Sequence, residues 1–254
     1  MQFSKILLFI NSIFLTSFVY YVIIYFMKND VREFVKKIRI LSACIVIALV
    51  VLVLFFTFLS KREKTNVSVK LKLFYSDMVQ TMQYSVADNG SVADWNWKIK
   101  DKAGFLNDYI IKYLRVSQNC LSSNGGCFSS RSYFNLSGLR TNYNLSKFPS
   151  VILQNGISLA FDLNNNCAKN DSVCATVFVD LNNKNEPNKF GKDLFVFVIK
   201  NTESVPFVPF KHVNDTSIFL NDKKYGCNKY AETPMYCAAY LLSTNWFIDS
   251  NYPW

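Results

Sequence analysis

Two uninterrupted apolar runs open the chain, and a periodic stripe follows the second. Ile6–Met27 is twenty-two residues without a charge, and Ile40–Leu59 is twenty. A helix needs about 20 apolar residues to cross the ~30 Å hydrocarbon core, so both runs predict membrane helices. The first is too long for the hydrophobic region of a signal peptide and lacks a small-residue cleavage site. After the second, Lys61, Arg62, Glu63 and Lys64 mark the water boundary, with no Pro or Gly in between. Leu71, Phe74, Met78, Met82 and Val86 then recur at steps of three and four, one apolar stripe of a continuing helix. Asn89-Gly90 supplies the left-handed stop. The reading is one rod of about fifty residues, near 75 Å long at 1.5 Å per residue. Its first half sits in lipid and its second half presents a stripe to a globular head.

The pattern beyond the rod predicts a short helix and then a sheet. Phe105–Leu114 places Phe105, Tyr109, Ile110, Tyr113 and Leu114 at helical spacing. Before it, Trp95 and Trp97 are expected to pack their loop onto the rod. Tyr133–Leu145 is irregular and rich in Asn, Ser and Tyr. Ser150–Leu153 and Ile157–Phe161 flank Gln154-Asn155-Gly156, and an Asn-Gly pair between such runs predicts a hairpin. Ala175–Leu181 is a third strand and Leu194–Lys200 a fourth. In the fourth, both alternating sets are apolar, which predicts a central strand buried on two faces. Such a sheet needs a cover, and the stripe on the rod is the candidate. The fold class expected is α+β: an extra membrane helix at 1–27, a loop at 28–39, the lipid half of the rod at 40–59, and a head at 60–254.

Charge orients the anchor. The formal net charge is +10 among 254 residues, but it is scattered and no nucleic-acid-binding motif accompanies it, so no nucleic-acid partner is expected. Lys28, Arg32, Lys36, Lys37 and Arg39 crowd the loop between the spans, which places that loop in the cytoplasm by the positive-inside rule. Cysteine usage agrees. Cys44 lies in the second span, whereas Cys120, Cys127, Cys167, Cys174, Cys227 and Cys237 all follow it, in three close couples. Their spacings of seven, seven and ten residues fit neither zinc knuckles nor thioredoxin motifs. Six cysteines allow fifteen connectivities, of which 120–127, 167–174 and 227–237 is the simplest. Disulfides require an oxidising compartment, so the head is expected outside the cytoplasm; free buried thiols are the alternative.

Several stretches carry a family likeness. Val177-Phe178-Val179-Asp180-Leu181-Asn182, followed by Glu186-Pro187-Asn188-Lys189-Phe190-Gly191-Lys192-Asp193-Leu194-Phe195, resembles the V-D-x-N…G-P-N…G-x-D-x-F segment of bacterial prepilin-like proteins. Tyr75 through Gly90, the Trp95/Trp97 pair, Cys237-Ala238-Ala239, Asn245-Trp246 and Tyr252-Pro253-Trp254 are also similar to theirs. The layout looks like that of type IV pilins and type II secretion pseudopilins. The resemblance implies a pilin-like head and assembly through the lipid-embedded helix with other pilin or pseudopilin subunits. It also implies a bacterial inner membrane location with a periplasmic or extracellular C-terminal domain. The departure is at the front. Family members end a basic leader in Gly and continue Phe-Thr-Leu-x-Glu, but Lys36 to Cys44 here contains neither glycine nor glutamate. A membrane-anchored surface binding module, adhesin or receptor, is therefore the alternative function.

One loop concentrates possible chemistry. Asp180, Asn182, Asn183, Asn185, Asn188 and Asp193 place carboxylate and amide oxygens within fourteen residues, between two strands. Oxygen-only donors suit calcium, which takes six to eight of them. The resemblance points the same way, since major pseudopilins hold calcium in a loop of the sheet region. The structural alternative is a long turn in which Asp180 and Asp193 serve as caps. Asp162 to Asn166 is a weaker echo, read as a turn. His212 is the only histidine, and there is no G-x-S-x-G elbow, H-E-x-x-H or phosphate loop. No catalytic residues are assigned and a non-enzymatic role is expected, with membrane lipid as a partner.

Overall fold

The second apolar run and the stripe after it fold as one helix, α1, Val31–Asn89. The computed structural model describes residues 17–19, 21–22, 31–122, 126–165, 167, 172–202, 205–210 and 216–254. Most of the first expected span, and His212, lie outside these. The chain divides into two compact units, residues 1–61 and 62–254. In the first, every side chain from Val35 to Ser60 is exposed, although the most apolar window there has a mean hydropathy of 3.1. This helix is long and apolar enough to cross a membrane.

In the second unit the stripe is the inner wall of a core. Leu71, Phe74, Met78 and Met82 are buried to within 1% of complete, as the periodicity predicts. Val86 is only half-buried. Its neighbour Ser85 turns inward instead, because its hydroxyl donates to the carbonyl of Tyr109. The helix stops where expected, at Gly90 with φ +78°.

A six-stranded antiparallel meander faces α1, in the order β1-β2-β3-β4-β5-β6. The strands are β1 (Val116–Cys120), β2 (Ser150–Leu153), β3 (Ser158–Leu163), β4 (Val173–Asp180), β5 (Leu194–Lys200) and β6 (Phe207–Pro209). The four interior strands are those the apolar pattern predicts, with β3 running two residues further, through Asp162 and Leu163. The two edges carry no such pattern. β1 is Val-Ser-Gln-Asn-Cys, mostly exposed, and β6 ends on a proline, which an edge strand tolerates. At the β2–β3 turn Gly156 takes φ +78°, the left-handed position a short hairpin loop requires.

Register fixes which side chains meet the helix. Phe195, Phe197 and Ile199 of β5 stand in line with Val179, Val177 and Ala175 of β4. Phe74 packs edge-on against Phe197 and Phe207 at 5.6 and 6.2 Å between ring centres, and Tyr75 stacks on Phe197. The other face bears Phe178, Val196 and Val198. It is covered by the irregular segment and the 3-10 turn that follows it, Tyr143 and Phe148 lying 5.6 and 5.9 Å from Phe178. β5 is thus buried on both faces and paired on both sides.

Three short helices and three disulfides complete the described part of the head. α2 (Lys102–Tyr109) continues into a 3-10 turn at Ile111–Tyr113. Trp95 and Trp97 stack on each other and on its Phe105 and Tyr109, so the indoles hold their loop mainly to α2. Their ring nitrogens donate to the carbonyls of Gly90 and Val92. Beyond β6 come α3 (Thr216–Asn221) and α4 (Cys237–Ser243). The disulfides are 120–127, 167–174 and 227–237, the local pairing; Cys44 remains a free, exposed thiol. Three bonded pairs match an oxidising compartment.

Candidate functional site

The loop between β4 and β5 turns on itself around two buried carboxylates. Asp180 closes β4 and is fully buried; Asp193 precedes β5 and is 4% exposed. Asp193 works first as a turn cap. Its Oδ2 accepts the backbone N–H of Asn188 at 2.7 Å and its Oδ1 that of Lys189 at 2.6 Å. Asn182 donates its side-chain amide to the same Oδ2 and to the carbonyl of Glu186. Asp180 accepts the backbone N–H of Asn182 at 3.1 Å through Oδ1 and the hydroxyl of Tyr133 at 3.1 Å through Oδ2. Asn183 and Asn188 take left-handed φ values of 65° and 51°, which asparagine tolerates better than most residues.

Four of the six candidate donors therefore come together: Asp180, Asn182, Asn188 and Asp193. Asn185 does not. It is exposed, and its amide donates to the carbonyl of Asn182, so its role is to close the turn. Asn183 is also spent elsewhere, accepting from the Ser158 hydroxyl. Among the described residues no three His, Cys, Asp or Glu side chains converge, so a cation here would rest on two carboxylates completed by amide and carbonyl oxygens. The fit with such a group has one direct mark. The Oδ1 atoms of Asn182 and Asn188 are buried and accept no hydrogen bond. Buried acceptors of this kind are rare in native structures, and an oxygen-seeking cation is one partner that would satisfy them.

Electrostatics agrees. Burial, then the nearby charge of Asp193, pushes the Asp180 carboxyl up to about 8. Burial also raises Asp193, against the backbone N–H groups that favour its charged form. Burial therefore penalises charging both carboxyls, and a cation in the loop would favour their charged forms.

Two participants carry no signal in the sequence. Lys70, on α1, donates its ammonium to the carbonyl of Leu181. Its pKa is lowered by burial, with Asp180 opposing. Tyr133, in the irregular segment, is fully buried, and burial and then Asp180 raise its hydroxyl pKa. Its neighbour Phe134 donates to the carbonyl of Asn188 and accepts from the N–H of Phe190, so this segment clamps the loop. On the outside, Arg131 pairs with Glu186 at 2.7 Å.

No curated protein and no solved structure matches this chain. A family model does match, over residues 57–254, which takes in the whole head and the last residues of the apolar run. The chain belongs to that family, a family of unknown function (DUF6613).

Proposed function

We propose that this protein is a non-enzymatic, pilin-like or pseudopilin-like subunit or accessory protein of a type IV pilus or type II secretion system. It sits in a bacterial inner membrane with its head exported, and the 180–193 loop holds calcium. One observation carries the reading. Within α1 a run of apolar side chains is wholly exposed, and later residues of the same helix form the buried wall of an antiparallel sheet. Apolar surface without protein cover calls for lipid or for other apolar helices. Subunit assembly through the helix supplies both.

Cys44 gives the test, because it is a native thiol exposed on the apolar run. Mild oxidation of membranes containing the full chain is expected to give a Cys44-linked dimer that Cys44→Ser abolishes. Purely monomeric protein at native expression would overturn the assembly reading. The missing glycine and glutamate between Lys36 and Cys44 favour a second reading, a permanently anchored surface binding module. Mass spectrometry of the mature N-terminus separates the two: a start near Ile40 supports the pilin reading, and an intact Met1 supports the fixed anchor.

A further inference from the structure

The C-terminal tail gathers aromatic and basic groups beside the first turns of α1 that belong to the head. Trp254 lies between two ammonium groups, with Lys64 Nζ 5.9 Å and Lys192 Nζ 5.0 Å from its ring centre. Its seat is firm. The Tyr252 hydroxyl donates to the carbonyl of Gly191 at 2.5 Å, and Tyr252 is buried. At Gly191, where φ is +77°, an added Cβ would meet Cys237 Sγ at 2.6 Å and the Tyr252 hydroxyl at 3.3 Å, so glycine is what lets α4 and the tail pack here. Upstream in the tail, Ser68 of α1 donates to the carbonyl of Trp246, whose ring packs 5.3 Å from Tyr75. The next residue, Phe247, is 67% exposed.

Chain length brings this surface to the bilayer. Lys64 is five residues past Leu59, the end of the apolar run. Five residues reach at most roughly 18 Å even when fully extended. Trp and Lys are the side chains favoured at the membrane–water interface, the indole among headgroups and the ammonium on phosphate. The acids nearby are largely engaged: Asp249 by the Tyr240 hydroxyl and the N–H groups of Asn251 and Tyr252, and buried Asp193, beside Lys192, by the N–H groups of Asn188 and Lys189; Glu63 adjoins Lys64.

We infer that Phe247 and Trp254, with Lys64 and Lys192, form a lipid-headgroup surface that seats the head on an anionic membrane. A cation–π clamp serving the fold alone would leave Trp254 indifferent to lipid, whereas a headgroup surface makes it respond to lipid charge. The inference rests on the membrane-anchor reading, and the test separates the two.

The test uses the full chain reconstituted into phosphatidylcholine vesicles with and without phosphatidylglycerol. The probe is quenching of tryptophan emission by lipids brominated near the top of the acyl chain. Stronger quenching is expected with phosphatidylglycerol. Trp254→Phe is expected to lose most of the quenchable signal, and Lys64→Gln with Lys192→Gln to lose the preference for anionic lipid. Phe247→Ser, a change at an exposed site, should weaken quenching with unchanged circular dichroism. Equal quenching in both vesicles, or no loss in Trp254→Phe while the chain resists carbonate extraction, overturns the inference. Protection of Trp254 that follows protein density instead of lipid composition also overturns it and assigns the surface to a second copy. Release by carbonate refutes the anchor itself.

Discussion

Two stretches of α1 use the same kind of residue to opposite ends. In residues 40–59 nearly every position is apolar and all are exposed; in residues 71–82 the stripe Leu71, Phe74, Met78 and Met82 recurs by threes and fours and is buried. Phe58 is 62% exposed and Phe74 is 1% exposed. Hydrophobicity alone does not tell these apart. Its distribution around the helix does, because an all-round apolar surface needs an apolar solvent and a stripe needs only one covering sheet.

The largest expected effect tests the buried half. Phe74→Ala should destabilise the head by about 3–5 kcal/mol, since the ring leaves a hole among Phe197, Phe207 and its helix neighbours. Phe58→Ala should leave head stability unchanged within about 0.5 kcal/mol. Urea unfolding in detergent, followed by tryptophan emission, measures both. Equal losses would mean that the apolar run also builds the core. Next come the disulfides, which staple connections within the head. Replacing Cys227 and Cys237 by serine opens a ten-residue link and should cost about 2–3 kcal/mol in the same assay.

What could be read from the chain in advance follows the same division. The stripe from Leu71 to Met82 and strands β2 to β5 were legible because each repeats one local period set by burial. The edges were not, since β1 exposes most of its side chains and β6 is three residues ending in Pro209. At the candidate site the polar loop announces itself, with oxygen donors crowded between two apolar strands. Tyr133 and Lys70 reach it across 47 and 111 residues of sequence, and no spacing rule spans such distances. Asn185 misled because residue type gives donor chemistry without direction: its amide faces its own turn.

The loop predicts a pH response specific to the head. Asp180 rises from its ordinary 3.8 to about 8 on folding, so between those values the folded state holds a proton that the unfolded chain releases. Stability is then greatest below about pH 4 and falls as pH rises toward 8. Millimolar calcium should offset part of this loss by favouring the charged carboxylates, adding about 1 kcal/mol at pH 8 for a site of extracellular affinity. Asp180→Asn removes the buried charge while leaving an oxygen for Tyr133 to donate to. Melting curves of the variant should lose most of this pH dependence in chelator and should not shift when calcium is added back. A calcium shift that survives in Asp180→Asn would remove the ion from this loop.

The smallest effect is the most discriminating. Leu54 and Leu73 lie on α1 with almost the same exposure, 62% and 60%. If exposure decided the matter, Lys at either position would be harmless, since Leu and Lys have similar helix propensity. The two solvents differ, however. Leu54 falls inside the twenty-residue uncharged run, where a lysine costs about 2.5–3.5 kcal/mol of insertion. Leu73 falls on the hydrated side of the head helix, away from Phe74 and its partners, so Leu73→Lys should change head stability by no more than about 0.5 kcal/mol. Carbonate extraction reads the first variant and urea unfolding the second. If Leu73→Lys proves as damaging as Leu54→Lys, then that face of the helix is covered by another apolar surface, and the boundary between its two environments lies beyond Lys64.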